Sequence, residues 1–369
     1  MERGLNDVFA ENRKISLRQL QILLLLDSFG TAVLFLPAEL AQINGKACWT
    51  MPLLGGAVFV LSSFLLAKTG ESAGTAVEWC KDAFGYTFGT AILAGLAFKI
   101  LLDGLLELRI FSEVICRAML PNTPVWAISL VILLAAGLLA VQGAECRGRS
   151  GEILFFAAVI PLLIVLAAVA VSAEYGRTQP VTFPAFGTLK EGLFAMSIPF
   201  QGLTFLYFAF PLLQKKERAV SAVVTSTLLS GGILAGGVFL CLAVYGEGVL
   251  AEKLLPSLQM LERVSFTGLF LTRQDLLLLW FWMVSACIFL SGTVYYGAFL
   301  GMRLFRQETE KRKNWLWGWL IVLFLASLLP ENMAEAYRLR LILSPWLNLL
   351  YLLILPIVLL ILRKRRGVR

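Results

Sequence analysis

Three charged residues lie four apart inside an apolar run. They are Lys99, Asp103 and Glu107, in the stretch "AFKILLDGLLELRIFSEVICRAML". On a helix that spacing stacks all three on one face. Arg109 and Glu113 repeat the spacing on a face rotated away from the first. Ionisable groups at membrane depth commonly face the interior of a helix bundle and mark ion or proton routes. One lysine cannot neutralise two carboxylates, so Lys99, Asp103 and Glu107 are expected to line a polar cavity or a proton or water path. The plainer alternative is structural. Lys99 would pair with Asp103 and Arg109 with Glu113, and both pairs would bind neighbouring helices. That alternative suits Arg109 and Glu113 best, because they approach the outer interface and can snorkel.

A second feature is a matched pair of interruptions. Leu23 to Pro37 reads "LLLLDSFGTAVLFLP", and Asp27, Ser28, Phe29, Gly30 and Thr31 fall near the middle of the run. Further on, "AMSIPFQGLTFLYFAFPLLQKK" carries Pro199, Phe200, Gln201 and Gly202 inside another apolar run. Pro199 removes an amide donor, and glycine weakens a helix locally. Each segment then reaches a proline, Pro37 or Pro211. Backbone left unpaired at membrane depth is tolerated only where protein or a water-filled cavity receives it. Interrupted segments at corresponding positions of two halves point to a binding site between them. These nine residues are the ligand-site candidates, although prolines and glycines are also common in membrane helices for other reasons.

The chemistry available is narrow. The chain has no histidine, and its six cysteines (Cys48, Cys80, Cys116, Cys146, Cys241 and Cys287) show no CxxC spacing. That argues against Cys/His zinc sites and histidine acid–base catalysis. No nucleophile sits beside a base in a pattern that supports catalysis. No enzyme activity, metal or cofactor is expected, and the cysteines are read as small hydrophobes.

The elements that position these residues follow from composition. Of 369 residues, 59% are hydrophobic and 15% charged, with a mean hydropathy of +0.80. Soluble domains carry roughly 25% charged residues, and a single globular core cannot hide this much apolar surface. The reading is an all-α polytopic membrane protein forming one transmembrane domain over 1–369. Spans need about 20 apolar residues. Ten candidates lie near 17–41, 50–67, 88–118, 124–143, 152–172, 190–213, 219–246, 276–302, 315–330 and 342–362. Ten spans put both termini on one side, where 21 basic residues gather against nine on the other. Both termini are therefore expected to be cytoplasmic. The net charge of +8 is a topology signal, and nucleic acid is not an expected partner, whereas the lipid bilayer is. The polar start of the chain does not resemble a cleavable signal. Residues 1–16 read as a cytoplasmic tail, 247–275 as an outer amphipathic loop with leucines at helical spacing, and 363–369 as a basic cytoplasmic tail. The run "STLLSGGILAGG" in the seventh span reads as close backbone packing.

Five segments, in order, resemble one family. They are "KISLRQLQILLLLDSFGTAVLFLP", "LRIFSEVICRAMLPNTP", "FPLLQKKE", "FLTRQDLLLLW" and "LLPENM". The chain resembles the endospore germination permeases, the B subunits of nutrient germinant receptors, within the amino acid–polyamine–organocation transporter superfamily. The resemblance implies a LeuT-like bundle of about ten helices in a five-plus-five inverted repeat, with the first and sixth helices broken. It further implies an amino-acid-like nutrient ligand, a complex with an A subunit and a lipoprotein C subunit, and a place in the spore inner membrane. Carried over, Asp27 to Thr31 and Pro199 to Gly202 become binding candidates. The alternative function is a proton-coupled secondary amino acid transporter.

Overall fold

The computed structural model describes residues 14–30, 32–71, 75–180, 182–214, 216–262, 275–306 and 312–365. Thr31 and most of 263–275 lie outside them. The chain is helical nearly throughout. Helix α1 (Leu17–Ser28) opens on a reciprocal cap. The Ser16 hydroxyl accepts from the Gln19 amide at 3.1 Å, and the Gln19 side chain accepts from the Ser16 amide at 3.0 Å. Such a box satisfies two of the donors a helix start leaves unpaired. α1 stops at Phe29, and α2 (Ala32–Asn44) resumes the first predicted span. α3 (Met51–Glu71) and α4 (Ala76–Ala118) follow, the latter bent at Gly85, whose φ of 78° is open only to glycine at low cost. α5 (Val125–Gln142) and α6 (Ala144–Ser172) are divided by Gly143, also at positive φ.

The sixth predicted span is broken as well. α7 (Phe186–Met196) gives way to a 3-10 stretch, Pro199–Phe205, then to α8 (Leu206–Ala209) and a last 3-10 turn, Phe210–Leu212. The two parts bend by 50°. The second half of the chain continues with α9 (Ala219–Tyr245), α10 (Glu247–Glu252), α11 (Pro256–Glu262), α12 (Asp275–Leu304) and α13 (Arg312–Ser327). α14 (Met333–Asn348) passes through a π-helical turn, Leu349–Ile354, into α15 (Leu355–Arg365).

Among the described residues, six helices are long and apolar enough to cross a membrane, and the bent pair formed by Phe186–Met196 and Pro199–Leu212 adds a seventh. Their outward faces carry large apolar side chains such as Val131, Leu138, Ile153 and Leu228, each more than half exposed. In water such surfaces would be a liability; against lipid they are the expected exterior.

Two local details show how the sequence handles backbone it cannot pair internally. Pro356 lacks an N–H and so leaves the Leu352 carbonyl, four residues earlier, without its helical donor. The Ser62 hydroxyl of α3 donates to that carbonyl at 2.5 Å, and Tyr207 donates to the Tyr351 carbonyl at 2.6 Å. The glycine run of α9 divides its labour. Gly231 packs on Gly56 of α3, where an added Cβ would meet backbone at 3.2 Å, as expected for close packing. Gly232, Gly236 and Gly237 instead face open space, which the sequence reading did not anticipate. Of the outer amphipathic leucines, Leu258 and Leu261 are buried and Leu254 is exposed, while Val264 lies outside the described residues.

Candidate ligand-binding site

The two interruptions meet. A Cβ placed on Gly202 would lie 2.5 Å from the Cβ of Asp27, so the broken segments approach with no side chain between them. Their ends are also tied together: the Ile15 amide donates to the Leu212 carbonyl at 2.8 Å, and the Gln214 amide to the Ile15 carbonyl at 3.0 Å. At the break itself, carbonyls in the last turn of α1 accept from hydroxyls as well; the Leu26 carbonyl also takes the Phe29 amide at 3.1 Å. Ser28 donates to the Leu24 carbonyl at 2.7 Å, and Ser285 of α12 to the Leu26 carbonyl at 2.5 Å. This is the satisfaction that irregular backbone needs at membrane depth.

Asp27 is buried and bound by a buried arginine. Nη2 of Arg147, from the first turn of α6, lies 2.7 Å from both carboxylate oxygens. Its Nε donates to the Ile288 carbonyl at 3.1 Å and to the Ser291 hydroxyl at 3.2 Å. The guanidinium also lies over the rings of Phe205 and Tyr296, at 5.3 Å and 5.8 Å from their centroids. Four segments thus converge on one ion pair: α1, α6, the 3-10 stretch of the sixth span, and α12. Gly292 makes room for it, since a Cβ there would meet Arg147 Nη2 at 2.8 Å.

On the other side of the break, α4 and α14 form a polar ladder. Lys99, Asp103 and Glu107 share the α4 face, as their spacing requires. Arg340, Ser344 and Asn348 have the same spacing on α14. Arg340 Nη2 donates to Glu107 at 2.6 Å, Ser344 donates to Asp103 at 3.4 Å, and Lys99 donates to Asp103 at 2.6 Å. Lys99 also donates to the Thr204 hydroxyl of the sixth span at 2.8 Å, and Asn348 donates to the Ser197 carbonyl at 3.0 Å. Glu107 touches the first break directly, because a Cβ on Gly30 would lie 2.6 Å from its Oε1.

Around the breaks, buried charge is balanced. Lys99, Arg147 and Arg340 answer Asp27, Asp103 and Glu107, all six at most 3% exposed. The expectation that Glu107 lacks a cation is therefore corrected. Arg340, read from sequence as an outer loop cation, is fully buried and supplies it. Arg147 was likewise counted with the cytoplasmic loops and is buried. The reason is the same for both. Helices α6 and α14 begin well before the apolar runs that marked them, and Asn332 fixes the start of α14 by accepting from the Glu335 amide at 3.0 Å. The expected Arg109–Glu113 pair forms at 3.0 Å and gains Arg117 at 3.2 Å.

The structure places Asp27, Ser28, Phe29, Gly30, Pro199, Phe200, Gln201 and Gly202 in one buried region, and the ladder of Lys99, Asp103 and Glu107 adjoins it. Phe29 and Phe200 are buried in ring contacts with Phe281, at 5.7 Å, and Phe59, at 4.8 Å. Sequence reasoning missed Arg147, Thr204, Arg340, Ser344 and Asn348. The available signal was the 340–344–348 spacing, which mirrors 99–103–107.

Residues 14–336 match the family model Spore_permease, described as spore germination protein. The chain belongs to that family. This germination permease is 25% identical over 370 residues to spore germination protein YndE of Bacillus subtilis (strain 168), covering 97% of this chain and 99% of the relative. It is 22% identical to spore germination protein KB of the same organism, over 96% of this chain and 97% of that one. Identity to spore germination protein B2 is 23%, over 88% and 89%. Among solved structures, the crystal structure of MhsT in complex with L-phenylalanine superposes with a TM-score of 0.57 at 16% identity, covering 95% of this chain and 99% of that one. The permease therefore has an all-α, LeuT-like membrane fold. It is a multi-pass membrane protein of germinant-receptor or transporter type.

Proposed function

We propose that this permease is the integral-membrane subunit of a spore nutrient germinant receptor. It takes an amino-acid-like nutrient between its two broken segments and signals to a receptor A subunit and a lipoprotein C subunit. The observation that carries this reading is the meeting of the breaks at Asp27 and Gly202, walled by ion pairs that join different helices. A ligand shifts a packing equilibrium only through differential affinity for its two states. Because ion pairs and a close backbone approach tie several helices together around the breaks, a polar ligand that re-pairs one charge changes their packing together. The chain then lies in the spore inner membrane with both termini cytoplasmic. That orientation survives the burial of Arg147 and Arg340, because 20 basic residues against eight keep the asymmetry.

The competing reading is a proton-coupled amino acid transporter, favoured by the likeness in fold to MhsT. Spores of the source organism lacking this gene separate the two. They are exposed to amino acids and sugars, with dipicolinate release recorded and a non-nutrient trigger as control. Selective loss of one nutrient response supports the receptor reading. Normal germination together with lost amino acid uptake in growing cells, and counterflow in proteoliposomes holding this chain alone, establishes the transporter instead.

A further inference from the structure

Arg340 lies fully buried beside the break of the first span, and its donors are mostly unspent. A guanidinium has five N–H donors. Nη2 donates to Glu107 at 2.6 Å, while Nε and Nη1 meet no acceptor among the described residues. Buried donors without acceptors are costly and scarce in native proteins. Glu107 points the other way as well. Its Oε1 lies against Gly30 in the first break. One carboxylate of the protein itself thus lies against the first break and holds one edge of the arginine.

Charge balance restricts what this pair can accept. Around the two breaks the buried cations Lys99, Arg147 and Arg340 match the buried anions Asp27, Asp103 and Glu107 in number, while Glu113 is paired separately with Arg109 and Arg117. A bare anion or cation added there leaves an uncompensated charge in a low-dielectric interior, whereas a zwitterion adds none. We infer that Glu107 and Arg340 are the recognition pair for an α-amino acid, whose carboxylate docks on the arginine fork and whose ammonium docks on Glu107. This rests on the receptor reading and names the ligand class for its site. Two ion pairs replace one, and the net charge of the core does not change. Arginine suits the role because its planar fork holds a carboxylate with two parallel N–H bonds, which lysine cannot do. Glu107 belongs to α4 and Arg340 to α14, so insertion moves those helices apart. The same step withdraws Glu107 from Gly30 and releases the break.

The test uses the full-length chain in phospholipid nanodiscs. It is titrated by calorimetry with the proteinogenic L-amino acids and, for each that binds, with its carboxamide and its N-acetyl derivative. At least one amino acid binds, and both derivatives bind about tenfold or more weakly, as loss of a charge-assisted pair requires. Arg340→Lys narrows the gap between amino acid and carboxamide; Glu107→Gln narrows the gap between amino acid and N-acetyl derivative. A purely structural role for either residue weakens all three ligands alike, which overturns the inference. A carboxamide or N-acetyl derivative within about threefold of its parent amino acid on the unsubstituted chain overturns it without any variant having to fold. If no amino acid binds while deletion of the gene abolishes a nutrient response, the receptor reading stands and the zwitterion inference falls. If deletion leaves every nutrient response intact, the receptor reading falls with it.

Discussion

Replacing Arg147 by methionine leaves Asp27 buried with no cation. The carboxylate has both oxygens 2.7 Å from the lost Nη2, and each partner is at most 3% exposed. Removing one member of a buried ion pair costs about 3–5 kcal/mol, because the remaining charge keeps its desolvation penalty and loses its compensation. Arg147→Met also removes the donors to the Ile288 carbonyl and the Ser291 hydroxyl, so the upper half of that range is expected. Asp27→Leu alone strands the guanidinium and costs roughly 3 kcal/mol by the same argument. The double variant Asp27→Leu/Arg147→Met removes both charges and keeps the volume apolar, so it should lie within about 1–2 kcal/mol of the original chain, giving a large coupling energy. The assay is unfolding of the purified chain in mixed micelles by increasing sodium dodecyl sulfate, followed by circular dichroism. Single variants that cost under about 1 kcal/mol, or a double variant whose cost equals the sum of the singles, refute the idea that Asp27 and Arg147 act as one unit.

Three further outcomes follow from the same geometry. Gly30→Ala puts a Cβ 2.6 Å from Glu107 Oε1 and should abolish the nutrient response, with Glu107→Asp in the same chain restoring part of it; dipicolinate release measures both, and an unaffected Gly30→Ala would mean that the contact is not needed. Ser62→Ala leaves the Leu352 carbonyl without its donor and should cost about 1–3 kcal/mol in the same unfolding assay, against little change for the exposed Ser172→Ala. Within α9, Gly232→Ala and Gly236→Ala meet open space and should each stabilise by about 0.5–1 kcal/mol, whereas Gly231→Ala presses on Gly56 and should destabilise; equal effects at all three positions would contradict the division seen along the run.

What could be read from the residues alone was what depends on period and composition. The apolar runs told that the chain is a membrane bundle, because no soluble core accommodates them. The four-residue spacing put Lys99, Asp103 and Glu107 on one face, and proline with glycine marked both breaks, because the loss of an amide or of helix propensity acts at the residue that causes it. Charge pairing did not follow. Arg147 and Arg340 lie at the ends of apolar runs, where a cation reads as a loop anchor, and only the packing of α6 against α1 and of α14 against α4 turns them inward. Their partners are 120 and 233 residues away in sequence, so no local pattern couples them. The sequence carried the number and sign of the charges. The tertiary structure chose the partners, because at membrane depth a charge must find its opposite in whichever helix the fold brings within reach.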